Sequence, residues 1–360
     1  MENKKIQPIR YYAKSFHQAL GILVTMKCPL ECAHCGIESS PRREEVLDRD
    51  LIVSRLREIG EQGKIKQLII TGGEPFSVRP LLQSILEVAF EYDICTYVQS
   101  SGFWASSKER AIATLTQLPR ITNLGISADE YHESFVPLQY VKNALEAALE
   151  CGMLPEICLR VWDMDNDPFL KHFYDVIGSD LLDQVYLDFE KIHAFGRGAQ
   201  FLDPDQVEKN KIDYLPQGAC DLAHHASIDC DGKVLACCNT RMARKYPALQ
   251  LGDLNEKSFT QMTDEAEENY LLQAIRVWGP KRLAEIVIEH GMGDRLKSVY
   301  DKNSICLLCT DLLSQPDIVE LLTEVLNTPE MKEQLILSRL LRYGEISKPL
   351  ENSLELVSTV

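Results

Sequence analysis

No stretch of the 360 residues approaches the roughly 18 consecutive apolar residues that a membrane-spanning helix requires. The N-terminus, MENKKIQPIRYYAKSFHQ, also lacks an apolar core of signal-peptide length. A cytoplasmic protein with no membrane partner is therefore expected. Positive charge is scarce as well: 38 Lys and Arg face 54 Asp and Glu, a net charge of −16, which opposes the counterion release that drives nucleic-acid binding. Nucleic acid is excluded as a main partner. Internal repeats and low-complexity tracts are missing, and 19 Gly with 16 Pro is near average usage, so neither a fibrous nor a disordered chain is expected. A 45% hydrophobic, 26% charged chain of this length suits one large domain with a smaller one, or two of similar size.

Cysteine, by contrast, is plentiful. Twelve cysteines in a chain without an export signal cannot serve as ordinary structural disulfides in a reducing cytosol, which points to metal or redox chemistry.

Between residues 18 and 190, six apolar, β-branched runs (ALGILVTM, KQLIITG, ICTYVQ, ITNLGIS, EICLRVW and QVYLDF) alternate with segments of helical periodicity. Ile52, Leu56 and Ile59 mark one helix face, Leu81, Ile85 and Val88 a second, and Leu138, Val141, Leu145 and Ala148 a third. Repeated βα units connect right-handedly into a parallel sheet, and six of them predict an α/β partial (β/α)6 barrel with its functional groups at the strand C-terminal ends. The character changes after Gly196–Gln200: cysteines cluster, and DCDGKVLACC predicts a hairpin turning at Asp231-Gly232. Residues 258–300 and 316–342 have helical patterns, with Pro280, Pro316 and Pro329 at first-turn positions. The expected division is an N-terminal extension (1–17), the barrel (18–200), a smaller α+β cysteine-rich domain with a helical insertion (201–314) and a helical tail (315–360).

Directly after the first predicted strand comes Cys28-Pro-Leu-Glu-Cys32-Ala-His-Cys35. Three thiolates can hold three irons of a [4Fe–4S] cluster and leave the fourth iron open to a non-protein ligand. A structural zinc site is the alternative, although it usually takes four ligands in CxxC pairs. This CxxxCxxC spacing resembles the signature of radical S-adenosylmethionine (radical SAM) enzymes. The second strand ends in Thr71-Gly72-Gly73-Glu74-Pro75, similar to that family's GGEP motif, and the two motifs stand in the family's order. Adjacent glycines let a backbone approach a bound small molecule closely, and strand-end amides can hold the methionyl group of SAM while Glu74 braces the loop.

The resemblance implies a cofactor-binding set of Gly72, Gly73, Glu74, Pro75, His34, Ser127 and Arg160. Ser127 follows the fourth strand, where the family contacts the SAM ribose or methionine, and the Arg160 fork suits a carboxylate; an ordinary strand-end hydroxyl and an exposed sheet arginine are the alternatives. Gln99-Ser100-Ser101-Gly102 stands where relatives carry a QTNG-like turn, with Ser101 replacing Asn, and Gly196-Arg197-Gly198 resembles the family's GRA/GRG turn, or else a flexible loop. Asp129-Glu130-Tyr131-His132 is expected either to supply acid–base groups or, as a charged helix start, to face water.

Downstream lie Cys220, Cys230, Cys237, Cys238, Cys306 and Cys309, resembling the shorter, twitch-like form of the SPASM extension that holds auxiliary clusters. No cysteine follows Cys309, so one auxiliary [4Fe–4S] cluster on Cys220, Cys237, Cys306 and Cys309 is implied, with Cys230 or Cys238 as possible substitutes and zinc as the alternative occupant. Cys95, Cys151 and Cys158 are expected in the core.

The resemblance further implies an oxidoreductase or maturase that cleaves SAM reductively and abstracts hydrogen from a substrate, with a ribosomally made peptide that it crosslinks, thioether-bridges or epimerises as the expected one. A sugar or other small-molecule dehydrogenase or epimerase is the alternative. A spare Cys230 or Cys238 is the candidate hydrogen donor. A flavodoxin- or ferredoxin-like electron donor is implied. Because the first strand begins near residue 18, a leader peptide is expected to be bound by a separate protein or by the helical C-terminus. Outside this class stand a non-catalytic iron–sulfur or zinc protein and a thiol–disulfide oxidoreductase. The latter lacks a thioredoxin-like context around Cys306-Leu-Leu-Cys309.

Overall fold

The computed structural model describes residues 15–163, 165–220, 225–302 and 304–344. It divides into two compact units that do not follow a single cut in the chain.

The first unit spans Leu20–Asp203 and also takes in Ile228–Gly232. Its sheet runs in order β1 (Ala19–Leu23), β2 (Gln67–Thr71), β3 (Cys95–Ser100), β4 (Asn123–Ala128), β5 (Leu154–Val161) and β6 (Tyr186–Lys191), with β2 through β6 paired in parallel. Each of the six apolar runs forms one of these strands. β6 has no further neighbour among the described residues, so the sheet is open. Helices Arg49–Gln62, Arg79–Glu91 and Leu138–Glu150 bury the three faces expected from their periodicity. The first starts on the Asp48 side chain, which accepts from the Leu51 amide at 2.8 Å, and stops at Gly63 in the left-handed conformation.

The second unit contains residues 15–19, 204–227 and 233 onward. Short strands β7 (Lys211–Ile212) and β11 (Tyr300–Asp301) pair antiparallel, as do β9 (Lys233–Leu235) and β10 (Gln250–Asp253). β8 (Ala226–Ile228) turns into β9 through Asp229–Gly232, where Gly232 has φ +86° and its amide donates to the Asp229 carbonyl. Pro280, Pro316 and Pro329 open helices Pro280–Glu289, Pro316–Leu326 and Pro329–Tyr343, because a first-turn proline loses no helical hydrogen bond. The helical pattern expected to reach residue 300 ends sooner: a 3₁₀ turn at Gly293–Arg295 and then β11 replace it.

This unit buries an ionic cluster. Glu267 lies between Arg276 (3.4 Å) and Arg339 (2.7 Å), all three almost fully buried, and also accepts from the backbone amide of Phe16 at 2.6 Å. The Arg276 guanidinium stacks 4.4 Å over the Phe16 ring.

Candidate active site

The cysteine loop follows β1. Cys28 and Cys32 are buried with Leu30 and Val136, and the rings of Phe103, Tyr131 and Tyr140 pack against that patch. Burial pushes the Cys28 thiol up to about 12, and nearby Glu74, Cys32 and Cys35 add to the effect against a hydrogen bond from the Leu30 amide. Three neighbouring thiols in a loop with no fourth are a donor set that leaves one position of a cluster open, so the loop fits an open-site [4Fe–4S] cluster.

The sequence motif after β6 is a clasp on this loop. Arg197 donates from its guanidinium to the carbonyls of Cys32 (2.8 Å) and Ser39 (2.5 Å) and from its amide to that of Cys35 (3.1 Å). Gly196 has φ +51°, and a Cβ there would lie 2.4 Å from the Gly36 carbonyl oxygen. The alternative of a flexible loop is thereby corrected. Gly196→Ala is expected to lower iron bound at the loop several-fold, measured by iron and sulfide analysis, with the rest of the fold retained by circular dichroism.

The GGEP segment is fastened to the same stretch of chain. Gly72 (φ +139°) and Gly73 leave room for the backbone of residues 25–27: a Cβ on Gly73 would lie 2.3 Å from the Lys27 carbonyl oxygen. The close approach expected toward a small molecule is thus seen toward the chain just ahead of Cys28. Glu74 is fully buried and accepts from the Phe76 amide (3.1 Å), the Ser100 hydroxyl (2.9 Å), and the Ser101 amide (2.8 Å) and hydroxyl (2.6 Å). Burial raises its carboxyl and these bonds oppose that rise. Ser101 therefore anchors the β3 turn to Glu74. Pro75 starts a 3₁₀ turn that Glu74 caps.

Beyond β4, Asp129 is buried rather than facing water, which corrects one of the two expectations for that run. It caps the short helix Glu130–Glu133 through the Tyr131 and His132 amides, and its other oxygen meets His132 Nδ1 at 2.6 Å and His34 Nε2 at 3.4 Å. Burial would raise the Asp129 carboxyl, but His132 and His34 hold it below the usual carboxylate range. Burial would lower His132, yet Asp129 and then the Cys32 thiol keep it well above the ordinary imidazole value. His34 moves the other way, to about 4, because burial outweighs Asp129. Its Nδ1 is buried with no hydrogen-bond partner.

Polar groups also fill the inner face of the sheet. Ser127 accepts from Gln99 Nε2 at 2.9 Å and sits level with Cys158 on β5. Arg160 is half-buried instead of exposed, pairs with Glu190 across β5 and β6 at 2.8 Å, and keeps Nη1 buried with no partner. Cys158 is buried, but among polar groups, hydrogen-bonded with Tyr97 and Gln99; Cys95 and Cys151 are only half-buried. The core expectation holds for Cys158 and is corrected for Cys95 and Cys151. Gly125 gives the Tyr97 hydroxyl its space, since a Cβ would lie 2.0 Å from it.

Glu156, in contact with Tyr97 and Cys158, is raised to about 7 by burial and by Asp188. The folded protein therefore favours the protonated carboxyl, and stability is lost as pH rises from about 4.5 through 7. Glu156→Gln is expected to raise stability at pH 8 by up to about 3 kcal/mol. The gain should vanish below pH 4.5 in denaturant titrations.

In the second unit, Cys306 and Cys309 lie on helix Cys306–Leu313, and Cys309 is raised far above the usual thiol value by burial and by Cys220 and Cys306. Three of the four expected auxiliary thiols thus share one electrostatic neighbourhood, a donor set that fits a thiolate-bound cluster. Gly279 (φ +81°) presses on the Gly218 carbonyl two residues before Cys220, where a Cβ would lie 1.8 Å away. Cys237 is buried just after β9, whereas Cys238 is exposed. Cys230 belongs by its contacts to the first unit; burial and Asp229 raise it to about 12, and its sulfur lies 3.4 Å from Asp229 Oδ1.

Sequence reasoning named Asp129, His132 and His34 separately but missed that they meet in one cluster. The Asp-x-x-His capping interval was its available signal, hidden by the ordinary look of a charged helix start.

An open parallel βα sheet with a three-thiol loop beyond its first strand and a braced glycine turn beyond its second is an α/β arrangement whose donor set fits an open-site iron–sulfur cluster. Residues 22–161 match the model of the radical SAM superfamily, and residues 220–285 that of an iron–sulfur cluster-binding domain, SPASM. The chain is a radical SAM enzyme carrying a SPASM domain. Its cofactors are a [4Fe–4S] cluster, S-adenosylmethionine and auxiliary iron–sulfur chemistry in the SPASM region. A Bacillus subtilis (strain 168) protein named for peptide biosynthesis, YydG, is 24% identical over 309 residues, covering 84% of this chain and 94% of that protein. Among solved structures, BtrN in complex with AdoMet and 2-DOIA is similar at 12% identity and a TM-score of 0.44, covering 74% of this chain and 89% of BtrN. The methyltransferase TsrM of Kitasatospora setae is similar at 14% identity and a TM-score of 0.38, covering 50% of this chain and 37% of TsrM. No described helix is long and apolar enough to cross a membrane.

Proposed function

We propose that this enzyme epimerises a residue of a ribosomally made peptide, with Cys28, Cys32 and Cys35 holding the SAM-cleaving cluster and the Cys230 thiol returning hydrogen to the substrate. The observation that carries the reading is Cys230: its thiol stays protonated, as a hydrogen-atom donor must, on a turn whose contacts are with the barrel unit. Cys238, exposed, is the weaker candidate. The peptide substrate rests on the likeness to YydG.

When bound, the cluster and SAM supply an electron and a 5′-deoxyadenosyl radical that removes a substrate hydrogen atom, yielding methionine and 5′-deoxyadenosine. The protein's own groups do the rest. The GGEP turn, whose Gly73 and Glu74 amides donate to the Thr25 and Lys27 carbonyls, fixes the chain just ahead of Cys28; Arg160 Nη1 offers the SAM carboxylate an unused donor, and His34, with a free buried Nδ1, stands inside the cluster loop. Ser127 contributes its hydroxyl at the end of β4. Cys230 then passes S–H hydrogen to the opposite face of the substrate carbon, and its sulfur is restored by one electron from the carrier protein and one proton. Cys220, Cys237, Cys306 and Cys309 are the proposed auxiliary ligands.

The test is anaerobic turnover of the reconstituted enzyme with SAM, a strong reductant and candidate peptides in D2O. One deuterium and a D-residue are expected in the product. Cys230→Ala should retain 5′-deoxyadenosine formation and lose epimerised product at least about 100-fold. A product two mass units lighter than substrate would replace epimerisation by oxidation.

A further inference from the structure

A groove of about 600 Å³ opens at the rim of the first unit, walled by Phe76, Arg79, Phe103, Trp104, Arg110 and Tyr140. None of its lining residues is acidic, in a chain with 54 Asp and Glu. Arg79 donates to Gln117 at 2.9 Å, and Arg110 is exposed on helix Lys108–Leu115. The groove is thus a local positive, aromatic surface on a molecule whose overall field is strongly negative.

Its back wall faces the cluster loop. Phe103 and Tyr140 line the groove and also pack against the buried patch of Cys28, Leu30, Cys32 and Val136. Trp104 stacks on Phe76 with centroids 4.6 Å apart and donates from Nε1 to the Ser100 hydroxyl, the same hydroxyl that donates to Glu74. Phe103 and Tyr140 thus belong both to a solvent-open groove and to the packing around the patch that contains Cys28 and Cys32.

We propose that this groove is the docking site of a small acidic one-electron carrier protein, with Arg79 and Arg110 meeting its carboxylates and Phe103 and Tyr140 forming the short path to the cluster loop. The inference rests on the cluster assignment to Cys28, Cys32 and Cys35. In each encounter the carrier is oxidised by one electron and the centre is reduced by one; no bond is made or broken at the interface. Aromatic and arginine side chains are the residues that concentrate binding energy at protein interfaces, and opposed charge governs encounter rate and orientation. A net charge of −16 would otherwise repel an acidic carrier from the molecule as a whole, so a positive patch beside the cluster selects where it lands.

The probe is a bacterial flavodoxin with its NADPH-dependent reductase, and the binding partner is the reconstituted holoenzyme. Calorimetry is expected to give a Kd that weakens about 10-fold or more in Arg79→Glu/Arg110→Glu, with Arg79→Gln/Arg110→Gln intermediate, and that weakens further with added salt. Flavodoxin-driven 5′-deoxyadenosine formation should fall in parallel while dithionite-driven formation stays at the wild-type level, since a small reductant needs no docking surface. Unchanged flavodoxin affinity in both double variants, or no binding by the wild type, overturns the proposal. Failure of dithionite to support 5′-deoxyadenosine formation in the wild type would instead strike the cluster assignment itself.

Discussion

Cys28→Ala is expected to abolish 5′-deoxyadenosine formation, a loss of at least about a thousandfold by mass spectrometry, and to remove about four irons per chain. Cys28 is one of only three thiols in its loop, and two thiolates cannot hold a cluster whose fourth iron must stay open to SAM. The substitution is small, and the neighbouring Leu30, Val136 and Phe103 can close over a methyl group, so the fold should survive. Cys309→Ala is the matching control: it strips a thiol from the second unit and should leave SAM cleavage largely intact while iron again falls. Equal iron and undiminished 5′-deoxyadenosine in Cys28→Ala would end the assignment of this loop.

Glu267→Ala is expected to cost about 3–5 kcal/mol, because it leaves Arg276 and Arg339 as buried charges with no counterion. The Phe16 amide loses its acceptor in the same step. For a domain of this size, such a loss lowers the melting temperature by about 10 °C. Glu267→Gln, which keeps an acceptor but not the charge, should fall between. Thermal unfolding followed by circular dichroism measures the series; a melting temperature within 2 °C of wild type for Glu267→Ala would mean that the arginines find other partners, and would refute the reading.

The strands and the outer helices were legible because their signal is local: a continuous apolar run, or Ile52, Leu56 and Ile59 one turn apart, is written within a few residues. The cysteine loop and the glycine turn were legible for the same reason. Their mutual fastening was not. Glu74 reaches Ser100 and Ser101, and Arg197 reaches Cys32 across 165 positions, contacts that only the parallel topology creates. The polar lining of the sheet was hidden too, since Glu156 and Cys158 sit in an apolar-looking strand whose inner face is not a hydrocarbon core. The two readings of Asp129 stayed open because a carboxylate with two imidazole partners has the same sequence appearance as a solvated one.

The interleaving of the two units has a consequence for how the chain is made. Phe16 leaves the ribosome early, yet its carboxylate partner lies 251 positions later and Arg339 later still. The barrel strands can assemble as they emerge, but the turn Ile228–Gly232 that completes their unit arrives only after more than 20 residues belonging to the other. Neither half is a contiguous stretch of polypeptide. A gene truncated after Asp203 would encode a barrel without its Cys230 turn, and one started at Pro204 would encode a helical unit without the Phe16 strand of chain that its buried glutamate holds. Dissection of this enzyme into separately expressed modules therefore calls for circular permutation or split-chain complementation rather than simple cutting.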